Sequence, residues 1–186
     1  MDVVLDRAIG VFRERGYKST SISHLSEATG LTTGSLYKAF DDKKDIFFRA
    51  LDRYVARRSE ALSEVLSGAT GGLERVERAV VFYAEASLAA PGSQGCLLIN
   101  AATECAAIGD ELLLKRVQQA LGQVERLLVD LIEEGQADGS ISATVNRETS
   151  ARLMMCLFQG LRVVGAAGLP DLGVRPLVET VVAGLR

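Results

Sequence analysis

Tryptophan is absent, histidine occurs once, proline three times, and aromatic residues make up only 5% of the 186 residues. Runs of alternating apolar and polar residues are missing as well, so a sandwich or barrel does not fit and an all-α chain is expected. No apolar run approaches the roughly 18 residues that a bilayer-spanning helix requires. Residues 1–15 interleave charged and apolar positions where a secretory signal would carry an apolar core, so a cytoplasmic protein is expected. Cys96, Cys105 and Cys156 show no close pairing, which fits reduced thiols rather than a disulfide framework. With His24 as the lone imidazole, no Cys/His spacing suits zinc, and Cys96 has no neighbouring base to activate it. The glycines of SGATGG at 67–72 stand outside any strand–helix setting, so a phosphate loop is not expected there. Together these absences argue against an enzyme, and no metal or cofactor is expected.

Charge is what the chain has in an uneven supply. The net value is −3, yet residues 1–58 hold 11 Lys and Arg against 8 Asp and Glu. Residues 59–186 hold 10 against 16. The positive end would suit an anionic partner.

That same end carries the most informative pattern. Val4, Leu5, Ala8, Ile9 and Phe12 form one apolar stripe of a helix, with Asp6, Arg7, Arg13 and Glu14 on its wet side. Gly16 is placed to stop it. Ser21, with Thr20 as competitor, is expected to cap a second helix whose buried edge is Ile22, Leu25 and Ala28. Gly30 supplies a left-handed turn, Leu31 plugs it from beneath, and Thr32 caps a third helix anchored by Leu36 and Phe40. His24 is expected to be a partly exposed surface residue. Two short helices about a tight turn are the layout of a helix-turn-helix, whose second helix enters the DNA major groove.

The residues left facing outward suit that use. Hydroxyls of Thr20, Thr32, Thr33, Ser35 and Tyr37 can bond phosphate oxygens or meet base edges, and Gly34 allows close approach of the backbone. Lys38 and Lys43 can each neutralise a phosphate. The plainer alternative is a helical bundle with one polar helix exposed.

The run from Ala8 to Phe47 resembles the N-terminal domain of the TetR (tetracycline-repressor-like) family of bacterial transcriptional regulators. The matching elements are Ala8, Phe12, Gly16, Tyr17 and Thr20, then Ile22, Leu25 and Ala28, then GLTTGSLYKAF from Gly30 to Phe40, and Lys43, Ile46 and Phe47. Thr33 stands where many members carry a basic residue, and Ala39 where many carry histidine or tyrosine. The resemblance implies an N-terminal three-helix bundle over 1–45, followed by a larger helical ligand-binding and dimerisation domain over 46–186. It further implies a homodimeric regulator, most simply a repressor released from a near-palindromic double-stranded operator by a small molecule.

The body of the chain is expected to hold helices from Asp42 to Leu66, Leu73 to Ala89, about Cys96 to Gly109, Asp110 to Ala137, Arg147 to Ala167 and Leu177 to Leu185. The first of these is expected to be the only continuous link between body and head. Leu153, Met154, Cys156, Leu157, Gly160, Leu161 and Val164 give the helix from Arg147 more apolar surface than one side of a monomer uses, which points to a homodimer.

Polar residues set inside apolar helices either pair with one another or converge on a cavity. On the cavity reading, Phe82, Tyr83, Cys96, Leu98, Asn100, Thr103, Glu104, Met155, Phe158, Gln159 and Arg162 hold a largely apolar effector. Glu104 and Arg162 could instead be an ion pair. Some relatives with a similar Gly-Cys-Leu segment sense oxidants or electrophiles, a second use open to Cys96. A helical interaction protein without DNA binding is the remaining alternative.

Overall fold

A computed structural model of the chain describes residues 1–88, 95–167 and 173–186. The sequence APGSQG predicts a turn at 90–95 and GLPDLGVRP a break at 168–176; residues 90–94 and 168–172 of these lie outside the described residues, as does the side chain of Cys105. Among the described residues there are nine helices and no strand. They divide into two compact units, residues 1–59 with 94–119 and residues 60–93 with 120–186.

The first unit holds α1 (Asp2–Ser19), α2 (Ile22–Thr29), α3 (Thr33–Ala39), α6 (Leu97–Ile108) and the opening turns of α4 (Lys43–Ser67) and α7 (Glu111–Ala137). Phe12, Leu25, Leu36, Ile46, Phe47, Leu51, Leu97 and Leu113 are its largest fully buried side chains. Phe47 packs edge-on against Phe12 and tilted against Tyr17, both at 4.9 Å between ring centres. Gly16 does interrupt α1, with φ 74° and ψ 174°, but a further helical turn follows it before Thr20. Asp42 caps α4 by accepting the Asp45 amide at 2.8 Å.

Packing therefore places α6 and the start of α7 with the N-terminal helices, where a division by chain position ends at residue 45. The physical reason is that α6 returns to α1 and fastens to its backbone by side-chain hydrogen bonds.

The second unit contains the rest of α4 and α7, with α5 (Gly72–Leu88), α8 (Arg147–Ala166) and α9 (Val174–Ala183). Its core is continuous: Leu62, Val76, Val80, Leu128, Ile132, Ala151, Met154 and Phe158 are buried together, with Tyr83 stacked on Phe158 at 4.3 Å. The N-terminus of α5 approaches α7 so closely that a Cβ on Gly72 would lie 2.0 Å from the Gly135 nitrogen. Only glycine fits that crossing.

The last helix starts at Val174, three residues before the expected Leu177, with Pro176 inside its first turn. Proline is tolerated there because first-turn amides have no intrahelical acceptor. On α8 the apolar excess is real: Leu153 is 70% exposed and Val163 62%. Among the described residues no helix is long and apolar enough to cross a membrane.

Candidate nucleic-acid interface

The α2–turn–α3 segment is held by short-range polar chemistry. Ser21 caps α2 by accepting the His24 amide at 3.1 Å, while His24 Nδ1 accepts the Ser21 amide at 3.2 Å. This closes a capping box in which imidazole fills the place usually taken by Glu or Gln. Sequence reasoning left His24 as a bystander because histidine is not the usual partner at that position.

Gly30 ends α2 at φ 73° with its amide on Ser26 O. Arg7 of α1 donates to Thr29 O at 3.0 Å, fixing the turn against the first helix. Ser26 Oγ donates to Leu31 O, and Thr29 Oγ1 to Leu25 O. Thr32 then caps α3 by accepting the Ser35 amide at 3.1 Å. The hydroxyls of Thr32 and Ser35 lie 2.9 Å apart.

Buried Leu36 and Phe40 anchor this seven-residue helix from one side. Thr33, Gly34, Ser35, Tyr37 and Lys38 are exposed on the other. A Cβ at Gly34 would meet no atom within 4 Å, so the backbone there is open to an incoming surface. Tyr37 is 54% exposed, an aromatic ring held in water on a helix whose apolar side is otherwise buried. Hydroxyls, one ammonium and an accessible backbone on a single face are the donors that phosphate and base edges require.

One expected contact residue lies elsewhere, and a second is already engaged within the protein. Thr20 is buried, and its hydroxyl donates to Gly16 O at 2.6 Å, which corrects its assignment to the contact surface. Lys43 is half-buried, with Nζ donating to Tyr17 O and Thr20 O, each at 2.9 Å, and lying 4.3 Å from the centre of the Tyr17 ring. Those bonds take two of the three protons of its ammonium. Lys43 thus ties α4 to the end of α1, a role that its spacing from α3 could not show.

The expected effector residues fall in both units. In the first, Asn100 Nδ2 donates to Arg13 O at 3.0 Å, and Glu104 accepts the Lys18 amide at 3.0 Å. Thr103 turns its hydroxyl back onto Ile99 O and Asn100 O. Cys96 is buried and accepts a hydrogen bond from the Tyr54 hydroxyl at 3.4 Å, while Leu98 is half-buried. The carboxylate of Glu104 is therefore engaged by backbone of α1. That bond, with Asn100, fastens α6 directly to α1 within the first unit.

In the second unit Tyr83 and Phe158 are buried, Phe82 meets Tyr83 edge-on at 5.4 Å, and Met155, Gln159 and Arg162 are half-buried. Among the described residues no group of three His, Cys, Asp or Glu side chains is placed to hold a metal.

An N-terminal helix that braces a capped helix, a left-handed glycine turn and a short helix with a polar outer face defines a helix-turn-helix DNA-binding protein. Comparison with known proteins agrees. The sequence profile described as "Bacterial regulatory proteins, tetR family" matches residues 4–50, and that of the "Tetracyclin repressor-like, C-terminal domain" matches residues 72–165. The chain belongs to the tetR family and is a DNA-binding transcriptional regulator, not an enzyme.

It is 28% identical over 171 residues to the HTH-type transcriptional repressor ComR of Escherichia coli K12, covering 90% of this chain and 80% of that protein. It also resembles a cysteine-substituted form of the TetR family regulator CifR in complex with 26-bp double-strand operator DNA, at TM-score 0.84 and 27% identity. That match covers 100% of this chain and 96% of the other. A TetR regulator from Chloroflexus aurantiacus shares the fold at TM-score 0.87 and 21% identity, over 98% of this chain and 91% of its own.

Proposed function

We propose that this protein is a cytoplasmic homodimeric repressor that binds a near-palindromic operator and leaves it when a largely apolar small molecule binds the helical body. The observation that carries the DNA half of this reading is the face of α3. Leu36 and Phe40 bury one side of it, leaving Thr33, Ser35, Tyr37 and Lys38 exposed together on the other. Thr33 and Ser35 lie nearest the bases, Thr32, Tyr37 and Lys38 engage phosphates, and Gly34 admits the backbone. Lys43 has one N–H left for a phosphate.

Binding measured across salt concentrations tests this. Lys38→Ala weakens binding to every duplex and lowers the slope of log K against log salt by about one. An unchanged slope removes Lys38 from the phosphate contacts.

The dimer reading rests on α8. Leu153, Val163 and Val164 are exposed apolar residues along it, and a Cβ at Gly160 would meet no atom within 4 Å beyond the backbone of its own helix and its chain neighbours. Gly160→Asp therefore has nothing to disturb within the protomer, yet it places a charge in a buried interface if α8 pairs with a second copy. A fall to monomer mass with unchanged helicity, together with lost operator binding, supports the dimer. An unchanged mass counts against α8 as the seam.

For the effector, the candidate residues are Phe82, Tyr83, Met155, Phe158, Gln159 and Arg162 in the second unit and, separately, Cys96, Leu98, Asn100, Thr103 and Glu104 in the first. A tenfold loss of operator affinity requires about 1.4 kcal/mol of coupling between effector and DNA. The buried, Tyr54-bonded thiol of Cys96 makes an electrophile-sensing repressor the lesser alternative, since such a thiol must first be uncovered.

A further inference from the structure

The end of α1 is broken, and the break is dressed by another helix. Gly16 leaves helical geometry at φ 74°, which interrupts the i→i−4 ladder of backbone bonds around it. Three ladder pairs enclose residue 16, and Arg13 O and Lys18 N belong to two of them. Both have side-chain partners on α6. Asn100 Nδ2 donates to Arg13 O at 3.0 Å, and Glu104 Oε2 accepts from Lys18 N at 3.0 Å.

Asn100 and Glu104 are four residues apart, so they share one face of α6 and reach the break side by side. The same helix end is tied once more by Arg13 Nε, which donates to Gly95 O at 2.7 Å. The carboxylate lies where any side chain at residue 16 would be: a Cβ built on Gly16 falls 2.0 Å from Glu104 Oε1. Glycine at 16 thus serves twice, for the positive φ and for the approach of Glu104.

Beyond the break lies the connector into the DNA-binding motif. Residues 16–20 join α1 to Ser21, the cap of α2. Thr20 folds its hydroxyl back onto Gly16 O, and Lys43 of α4 holds Tyr17 O and Thr20 O. The connector is therefore gripped from one direction by α4, through an ammonium on its carbonyls, and from another by α6, through a carboxylate on its amide.

We propose that Asn100 and Glu104 are positioning residues for DNA binding: by holding the break in α1 they set the angle at which α2 and α3 leave it. The proposal rests on the helix-turn-helix being the DNA-binding surface. It assigns the two residues a role that touches no DNA, and it makes α6 a direct determinant of operator affinity.

The test uses the full-length protein and a duplex selected from a random library by the wild type. Glu104→Ala lowers affinity for that duplex by about threefold to tenfold, the scale of one ordinary net hydrogen bond. The salt slope stays at the wild-type value, because no phosphate contact is lost. Glu104→Gln, which keeps an acceptor oxygen, restores most of the affinity, and Asn100→Ala loses affinity in the same direction. Hydrogen exchange at the Lys18 amide quickens in Glu104→Ala, a readout that needs no DNA.

Affinity equal to wild type in Glu104→Ala overturns the proposal, as does a fallen salt slope or a failure of glutamine to rescue. A lower melting temperature with unchanged affinity per folded molecule overturns it too, by making the role merely structural. A wild type that selects no duplex removes the DNA-binding reading itself and the proposal with it. Loss of the proposal alone is recognised by normal binding in both wild type and variant.

Discussion

Both compact units have buried apolar cores, but they differ in how polar groups join their helices. In the first, directional bonds join one helix to the backbone of another: Arg7 to Thr29 O, Asn100 to Arg13 O, Lys43 to Tyr17 O and Thr20 O, and Glu104 to the Lys18 amide. In the second, a continuous apolar cluster running from Leu62 to Leu185 supplies the cohesion. A hydrogen bond contributes about 0.5–1.5 kcal/mol net, whereas full burial of a large apolar side chain contributes about 1.5–3 kcal/mol. The unit that carries the DNA-binding motif thus adds to its apolar core a set of contacts that are geometrically strict yet individually easy to rearrange. Such contacts suit an element whose orientation has to be both defined and adjustable.

The sharpest way to break this contrast is at the core of the second unit. Phe158→Ala removes a ring that is fully buried and stacked on Tyr83. The expected loss is about 3–5 kcal/mol, or roughly 10 °C in melting temperature. A loss under about 1 kcal/mol would mean that the cluster is not the principal source of stability there.

Next in size is the helix crossing at Gly72. Gly72→Ala drives a Cβ into the backbone of Gly135, so α5 has to shift, at a cost of about 1–3 kcal/mol. Chemical denaturation of the variant measures it, and DNA affinity per folded molecule is expected to hold.

Smaller still is the cap on α2. His24→Ala leaves the Ser21 amide without its side-chain acceptor, at about 0.5–1 kcal/mol, whereas His24→Gln can rebuild the capping box. Equal stability of the two variants would deny the imidazole its capping role.

The smallest effect is on acid stability. Asp6, bonded by Arg53 and Arg57, titrates at about 2 instead of its ordinary 3.8. In the second unit Glu74, held by the Thr70 backbone amide, Arg78 and the Thr70 hydroxyl, titrates at about 2 instead of 4.5. A depressed carboxylate stabilises the fold fully above its unfolded pKa and loses that contribution as pH falls towards the folded value. Stability should therefore decline from about pH 4–5 downward to pH 2. Asp6→Asn and Glu74→Gln should each flatten part of that decline, modestly, because both groups are near the surface. A decline of undiminished steepness in the double variant would assign it to other carboxylates.

Legibility in the sequence follows the same division of chemistry. The helices, the αL turn at Gly30, the caps at Ser21, Thr32 and Asp42, and the anchoring pair Leu36 and Phe40 could all be read, because each depends on residues within one or two turns of chain. The exposed face of α3 followed from the same spacing. The exposed apolar stripe of α8 was legible too, from its excess of apolar residues. Hidden were the roles of Thr20, Lys43, Asn100 and Glu104, since residues near in spacing to a motif, or polar within an apolar helix, look alike whether they face solvent, a cavity or another helix.

The sequence by itself determined the all-α class, the helix-turn-helix and its outward residues, because apolar period and capping chemistry are local properties of the chain. Only the tertiary structure decided that α6 packs with the N-terminal helices and that Glu104 belongs to Gly16 and Lys18. Their hydrogen bond spans 86 residues of sequence separation. A carboxylate and an amide so far apart leave no periodic trace, and the space that glycine leaves at the break gains meaning only when the chain has folded back upon it.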